Sequence, residues 1–120
     1  MRIPHCILVA AMLGAPAVSV AEQVRSDPYG HDAIEAGEFS EAEAALRAQL
    51  ALEPDKPELL INLAAIYART NRINEAQAMY ARVMATDDVS LLLRPGHALG
   101  SHAIAERGLA KLERQRMAVR

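Results

Sequence analysis

Residues 37–54 and 71–88 repeat one another at an offset of 34 positions. Glu41 matches Glu75, Ala42 matches Ala76, Ala44 matches Ala78 and Ala51 matches Ala85. Phe39/Ile73, Ser40/Asn74, Glu43/Gln77, Leu46/Tyr80 and Leu50/Met84 are like-for-like. A fixed period in this range marks a repeat array, in which each unit is too small to bury its apolar face alone and does so against the next unit. Such stacks usually bind something rather than catalyse something. With 120 residues the chain has room for one domain of this kind.

The first residues stand apart from the repeat. Arg2 is followed by an apolar run from Ile3 to Leu13, then Gly14 and Pro16, then Ser19-Val20-Ala21 just before Glu22. A basic start, an apolar middle and a small-x-small site are the layout of a secretory signal peptide over 1–21. Cleavage is expected after Ala21, with Ala17 as a second site. Retention as an anchor is the alternative, since Ile3 to Ala21 carries no Lys, Arg, Asp or Glu, although Pro4, His5, Gly14 and Pro16 suit a spanning helix poorly. Cleavage would leave 99 residues, opening on a linker over 22–26, with no membrane span and without Cys6, the one cysteine of the chain. An exported domain lacking cysteine has no disulfide, thiol nucleophile or thiolate metal site, and must hold together by packing. Eleven Arg against two Lys point to a bacterium of high GC content, and the expected compartment is the periplasm.

Charge is divided along the chain. Residues 22–88 carry thirteen Asp/Glu against six Lys/Arg, whereas residues 89–120 carry two Glu against six Lys/Arg. This balance does not favour a nucleic-acid partner. It is the pattern of a solvated acidic array with a basic final helix. The alternative is a tail that meets an anionic surface or the acidic repeats of another copy, which would make the chain a self-assembling structural module.

Helix boundaries follow from caps and period. Asp27-Pro28 is an N-cap followed by proline at the first helical position, opening a short helix that ends at Gly37. Ser40-x-x-Glu43 has the form of a capping box and opens a helix to about Leu52, stopped by Pro54. Asp55-x-x-Glu58 opens a helix to about Thr70, and Asn74-x-x-Gln77 a helix to about Thr86. Apolar residues recur at helical spacing: Ala42, Ala45, Leu46 and Leu50, then Leu59, Leu60, Leu63, Ile66 and Tyr67, then Ala76, Met79, Tyr80, Val83 and Met84. Residues 89–100 break the pattern. Val89 to Leu93 is short and rich in β-formers and Arg94-Pro95-Gly96 is a turn, so the segment has room for a small hairpin over 89–99. Ser101 is then expected to cap a last helix over 101–116, with Ile104, Ala105, Gly108, Leu109 and Leu112 on one face and a frayed tail over 117–120.

These residues resemble the tetratricopeptide repeat family. The second unit, 55–88, reads Leu60-x-x-Leu63-Ala64-x-x-Tyr67 and then Ala76-x-x-x-Tyr80, with Asp88 where the closing proline is usual. The first, 27–54, reads Ser26-x-x-Tyr29-Gly30-x-x-Ala33 and then Ala42-x-x-x-Leu46, closed by Pro54. The resemblance implies an all-α fold: two antiparallel helical hairpins in a right-handed stack, closed by the 101–116 helix as a lid. It further implies that Gly30, Ala64, Ala42 and Ala76 are the small positions where paired helices touch. In this family the first helices line a concave groove that typically holds a peptide or an extended protein segment. The implied lining is His31, Ile34 and Glu35 from the first unit, and Ile61, Asn62, Ala65 and Arg69 from the second. Asn62 suits hydrogen bonds to a peptide backbone and Arg69 a carboxylate. The C-terminal-carboxylate clamp of some members is not matched, because Asp27 and His31 stand where Lys and Asn are wanted.

Other chemistry finds no constellation. His31 and Glu35 could face one ion from adjacent helical turns, but a metal site needs three or four ligands, and nothing in the spacing shows that His97 or His102 joins them. There is no glycine elbow around a serine and no phosphate-cradling glycine loop. The expectation is a small exported bacterial protein that is not an enzyme and needs no cofactor: an interaction adaptor of the cell envelope with an unidentified protein or peptide partner.

Overall fold

The computed structural model describes residues 29–119 together with Ser19. The signal-peptide reading of 1–21, the linker and the Asp27-Pro28 cap therefore lie outside the described residues. The elements are α1 (His31–Glu35), α2 (Phe39–Leu52), α3 (Pro57–Arg69), α4 (Ile73–Met84), β1 (Ser90–Arg94), β2 (His97–Gly100) and α5 (Ser101–Ala118). The fold is all-α with one minor hairpin. α1 packs on α2, α2 on α3, α3 on α4, and α5 lies across α4 and α3.

The 34-residue echo is first of all a repeated turn. Gly37 and Asn71 occupy the left-handed region, with φ of 76° and 59°. At the first turn the Glu38 N–H donates to the Ala33 carbonyl (2.8 Å) and the Gly37 N–H to that of Ile34 (3.1 Å). At the second, the Arg72 N–H donates to the Tyr67 carbonyl (2.7 Å) and the Asn71 N–H to that of Ala68 (3.4 Å). Both are Schellman closures, which satisfy the last carbonyls of one helix while reversing the chain. Glycine enters the left-handed region without a Cβ penalty, and asparagine is among the few other residues that tolerate it.

This turn overturns the expected capping boxes. α2 begins at Phe39 and α4 at Ile73, with Glu38 and Arg72 as N-caps and no side-chain capping bond. The Schellman turn returns the chain to helical dihedrals at once, so Ser40 and Asn74 already lie inside the first turn. Glu43 instead reaches Arg47 and Arg72. Asp55 and Glu58 do not form a box either: Lys56 is the N-cap of α3, and Pro57, with φ preset for a helix, makes the first helical position. α4 ends at Met84, two residues short of the expected Thr86, and α5 runs to Ala118, two beyond the expected Arg116.

The core follows the helical stripes. Leu46, Leu59, Leu60, Ile66 and Val83 are fully buried, and Tyr67, Tyr80, Ala105 and Leu112 join the same cluster. Small residues set the helix spacing as expected: Ala42, Ala64 and Ala76 are fully buried. A Cβ on Gly30, whose φ is 65°, would stand 3.2 Å from the Leu46 side chain. Gly108 of α5 is tighter, since a Cβ there would fall 2.3 Å from the Tyr80 ring.

The hairpin over 89–99 is present, displaced by one residue. Ser90 pairs with Gly100, Leu91 with Leu99, Leu92 with Ala98 and Arg94 with His97, and the register shifts between Leu92 and Arg94. Ser101 does not cap α5. It is the first helical residue, fully buried, and its hydroxyl accepts from the Val89 N–H (3.0 Å) and donates to Asp88 (3.3 Å). The cap comes from across the hairpin: Asp88 Oδ1 accepts the His102 N–H (3.0 Å), and the Val89 carbonyl accepts the Ser101 N–H (2.7 Å). The bond from the His102 amide holds the Asp88 carboxyl below its ordinary range. A Cβ on Gly100 would meet Asp88 Oδ1 at 2.8 Å, so glycine there admits the carboxylate to the helix end.

Gly108→Ala should lower stability by about 1–3 kcal/mol through overpacking against Tyr80. A thermal melt that leaves Tm unchanged would show that α5 does not need this close approach.

Candidate functional site

Among the described helices α3 is the central one, in contact with α2, α4 and α5. Leu59, Leu60, Leu63, Ala64, Ile66 and Tyr67 are buried against α2, α4 and α5. Ile61, Asn62 and Ala65 remain half-buried and Arg69 exposed, at spacings that place them along one strip of the helix. α5 packs on α3, and the residue just ahead of α1 is tied to α3 by one hydrogen bond. Asn62 Nδ2 donates to the Tyr29 carbonyl just ahead of α1 (2.7 Å), and Gln115 Nε2 of α5 donates to the Ala68 carbonyl at the end of α3 (3.2 Å).

The seven sequence-derived groove residues divide by what they touch. Ile34 and Ile61 are partly buried against the edge of the core. His31 and Glu35 approach each other on exposed α1, with Nε2 to Oε1 at 3.3 Å. Asn62 does bond a peptide carbonyl, but one of this chain, so it fastens α1 to α3. The Arg69 guanidinium lies 6.0 Å from the centre of the Phe39 ring, a position from which its outer N–H groups can serve a carboxylate. Ala65 is the small, half-buried floor between Ile61 and Arg69. Gln115 was not foreseen, because only the tertiary fold sets α5 beside α3. Among the described residues no group of three or more His, Cys, Asp or Glu is placed to hold a metal ion.

A polar cluster joins the two hairpins. The Arg72 fork donates to both oxygens of Glu43, at 3.0 and 2.5 Å. Arg47 Nη2 donates to the Tyr67 hydroxyl at 2.6 Å, and Arg47 Nε donates to Glu43 at 3.1 Å. The Arg72 guanidinium lies 4.4 Å from the Tyr67 ring centre. Arg72 holds the Glu43 carboxyl below its ordinary value against the opposing effect of partial burial, while burial raises the Tyr67 phenol. Bidentate, partly shielded Arg–carboxylate pairs are among the stronger polar contacts in proteins. At the 34-residue offset Glu43 becomes Gln77, and it too is met by an arginine: Arg116 of α5 donates to Gln77 (3.0 Å) and to Asn74 (3.1 Å). An open cleft of about 250 Å³ lies beside this contact, lined by Asn71, Ile73, Gln115, Arg116 and Val119.

Residues 33–93 match the sequence profile of the Tetratricopeptide repeat family, which covers just over half of the chain. The chain belongs to the tetratricopeptide repeat family. The matched span takes in both Schellman turns and the Glu43–Arg72 cluster, and ends inside β1. No curated protein and no solved structure matches the chain. Tetratricopeptide repeats are generally protein–protein interaction modules and typically non-catalytic, and α1 and α3 stand as the first helices of the two units.

Glu43→Gln should cost about 1–2 kcal/mol at neutral pH, since it weakens the Arg72 fork. The sign of the pH dependence follows from the lowered carboxyl. Its contribution is complete above the ordinary value of 4.5 and is lost as pH falls through the lower folded value. Melts across the acid range should therefore fall less steeply for Glu43→Gln than for the native chain. Parallel curves would remove Glu43 from the acid response.

Proposed function

We propose that the chain is a non-catalytic adaptor of the bacterial cell envelope that holds a peptide or extended protein segment along the strip of Ile61, Asn62, Ala65 and Arg69, flanked by His31, Ile34 and Glu35 of α1. The observation that carries this reading is the incomplete burial of α3. Its other faces are closed by neighbouring helices, while this strip stays open with apolar Ile61 and Ala65 leading to cationic Arg69. An extended segment could bury the apolar pair and offer an acidic group to Arg69. Two units make a short groove, so affinity for a single segment would be low and firm attachment would draw on multivalency. Export to the periplasm, with removal of 1–21, is the setting that the N-terminal sequence supports.

A photo-crosslinking residue placed at Ala65 and activated in the intact envelope should give a discrete protein adduct, whereas one at Ala81, on the exposed back of α4, should not. Arg69→Glu should reduce the Ala65 adduct and leave helicity unchanged. Equal labelling from Ala65 and Ala81, or an adduct indifferent to Arg69→Glu, would sink the groove assignment. Asn62→Ala is a poorer probe, since losing its bond to Tyr29 should also loosen α1.

A further inference from the structure

The helices stack in chain order, so the fold has two outer faces: a head formed by α1 and α2, and a tail formed by α5. Where units meet inside the stack, cations are matched. Arg47 and Arg72 meet Glu43, and Arg116 meets Asn74 and Gln77. At the two outer faces they are not. Asp32, Glu38 and Glu41 stand exposed on the helical turns either side of the Gly37 reversal. Glu41 lies across α2 from Glu43, the residue that faces the second hairpin. Arg107, Lys111 and Arg114 stand exposed on α5 at spacings of four and three, which set them along one stripe. Arg107 and Arg114 lie on the side of α5 opposite Ala105 and Leu112, through which the helix enters the core. None of these six side chains has an ion-pair partner among the described residues.

The signs select the partner and its orientation. A second copy docked tail to tail would set cations against cations, and one docked head to head would set carboxylates against carboxylates. Head to tail, opposite charges meet. We propose that copies of the chain associate head to tail, with the outer face of α5 in one copy seated on the α1–α2 turn of the next. Arg107, Lys111 and Arg114 then meet Asp32, Glu38 and Glu41. Ala110, exposed between Arg107 and Arg114, is small enough to let the helix approach closely. Because the two faces lie at opposite ends of the stack, the contact is heterologous and does not close, so short open chains form. The pairs are exposed and each contributes little, which makes the association weak and salt-sensitive. It uses none of the α3 strip residues, so failure of one assignment does not bear on the other.

Sedimentation of the purified full chain over a concentration series tests the proposal. At low salt, reversible growth beyond a dimer is expected, and high salt should suppress it. Two variants separate the faces. Arg107→Gln with Arg114→Gln removes tail charge, and Glu38→Gln with Glu41→Gln removes head charge. Each alone should weaken self-association several-fold and leave the circular dichroism spectrum unchanged. Mixed, the two should form a complex that stops at two copies, because only one intact tail and one intact head remain to meet. Four results overturn the proposal: a native chain that is monomeric at every concentration, one that stops at a symmetric dimer, mixed variants that associate no better than either alone, or association indifferent to both charge variants and lost on Leu92→Lys.

Discussion

The two turns at Gly37 and Asn71 carry the architecture. Each closes a helix with paired backbone bonds and points the next helix back along the first, and each needs one residue in the left-handed region. Because the two turns stand at equivalent positions of the repeat, the hairpins they make can stack in one register. Leu46 and Tyr80 then both fall into the core, and Ala42 and Ala76 both fall at close contacts. The residue after each turn adds to this. Arg72 leaves the second turn directly over Tyr67, two residues before the end of α3, and grips Glu43 of the preceding hairpin. Turn geometry and inter-repeat contact are thus settled at the same place.

A stack of two units has an open end, and α5 closes it by imitating what the next unit would bring. Arg116 meets Asn74 and Gln77 much as Arg72 meets Glu43, and Gly108 lets the helix settle on Tyr80. The 89–100 hairpin sets the start of α5 where Asp88 and Val89 satisfy its first amides. Gly100 is needed there because any side chain would displace that carboxylate. This closure also has a consequence at the surface. Folding Ser90 to Arg94 as a strand rather than a helix leaves Leu92 outside the core.

Much of the fold was legible in the sequence, because helix number and core positions depend on local periodicity. The stripes over 42–50, 59–67 and 76–84 are the buried faces observed. Two of the three capping boxes were misread because residues of each serve longer-range ends. Glu43 binds Arg72, 29 positions away, and Asn74 and Gln77 receive Arg116, 42 and 39 positions away. A local motif cannot show that a distant cation competes for its carboxylate. The same holds for Asn62, whose amide was assigned to a partner's backbone and binds the Tyr29 carbonyl 33 positions back.

The repeat and the apolar stripes were determined by the sequence alone, since they rest on residue spacing along the chain. Membership of the tetratricopeptide repeat family rests on the profile match over residues 33–93. What only the tertiary structure decided is which polar side chains are occupied by the fold itself and which surfaces stay open. That α3 keeps one incompletely buried strip, that Asp88 caps a helix across a hairpin, and that Leu92 stands exposed all depend on how elements distant in the chain come to lie. Packing of that kind is set by the summed burial of many contacts, and no single stretch of sequence carries it.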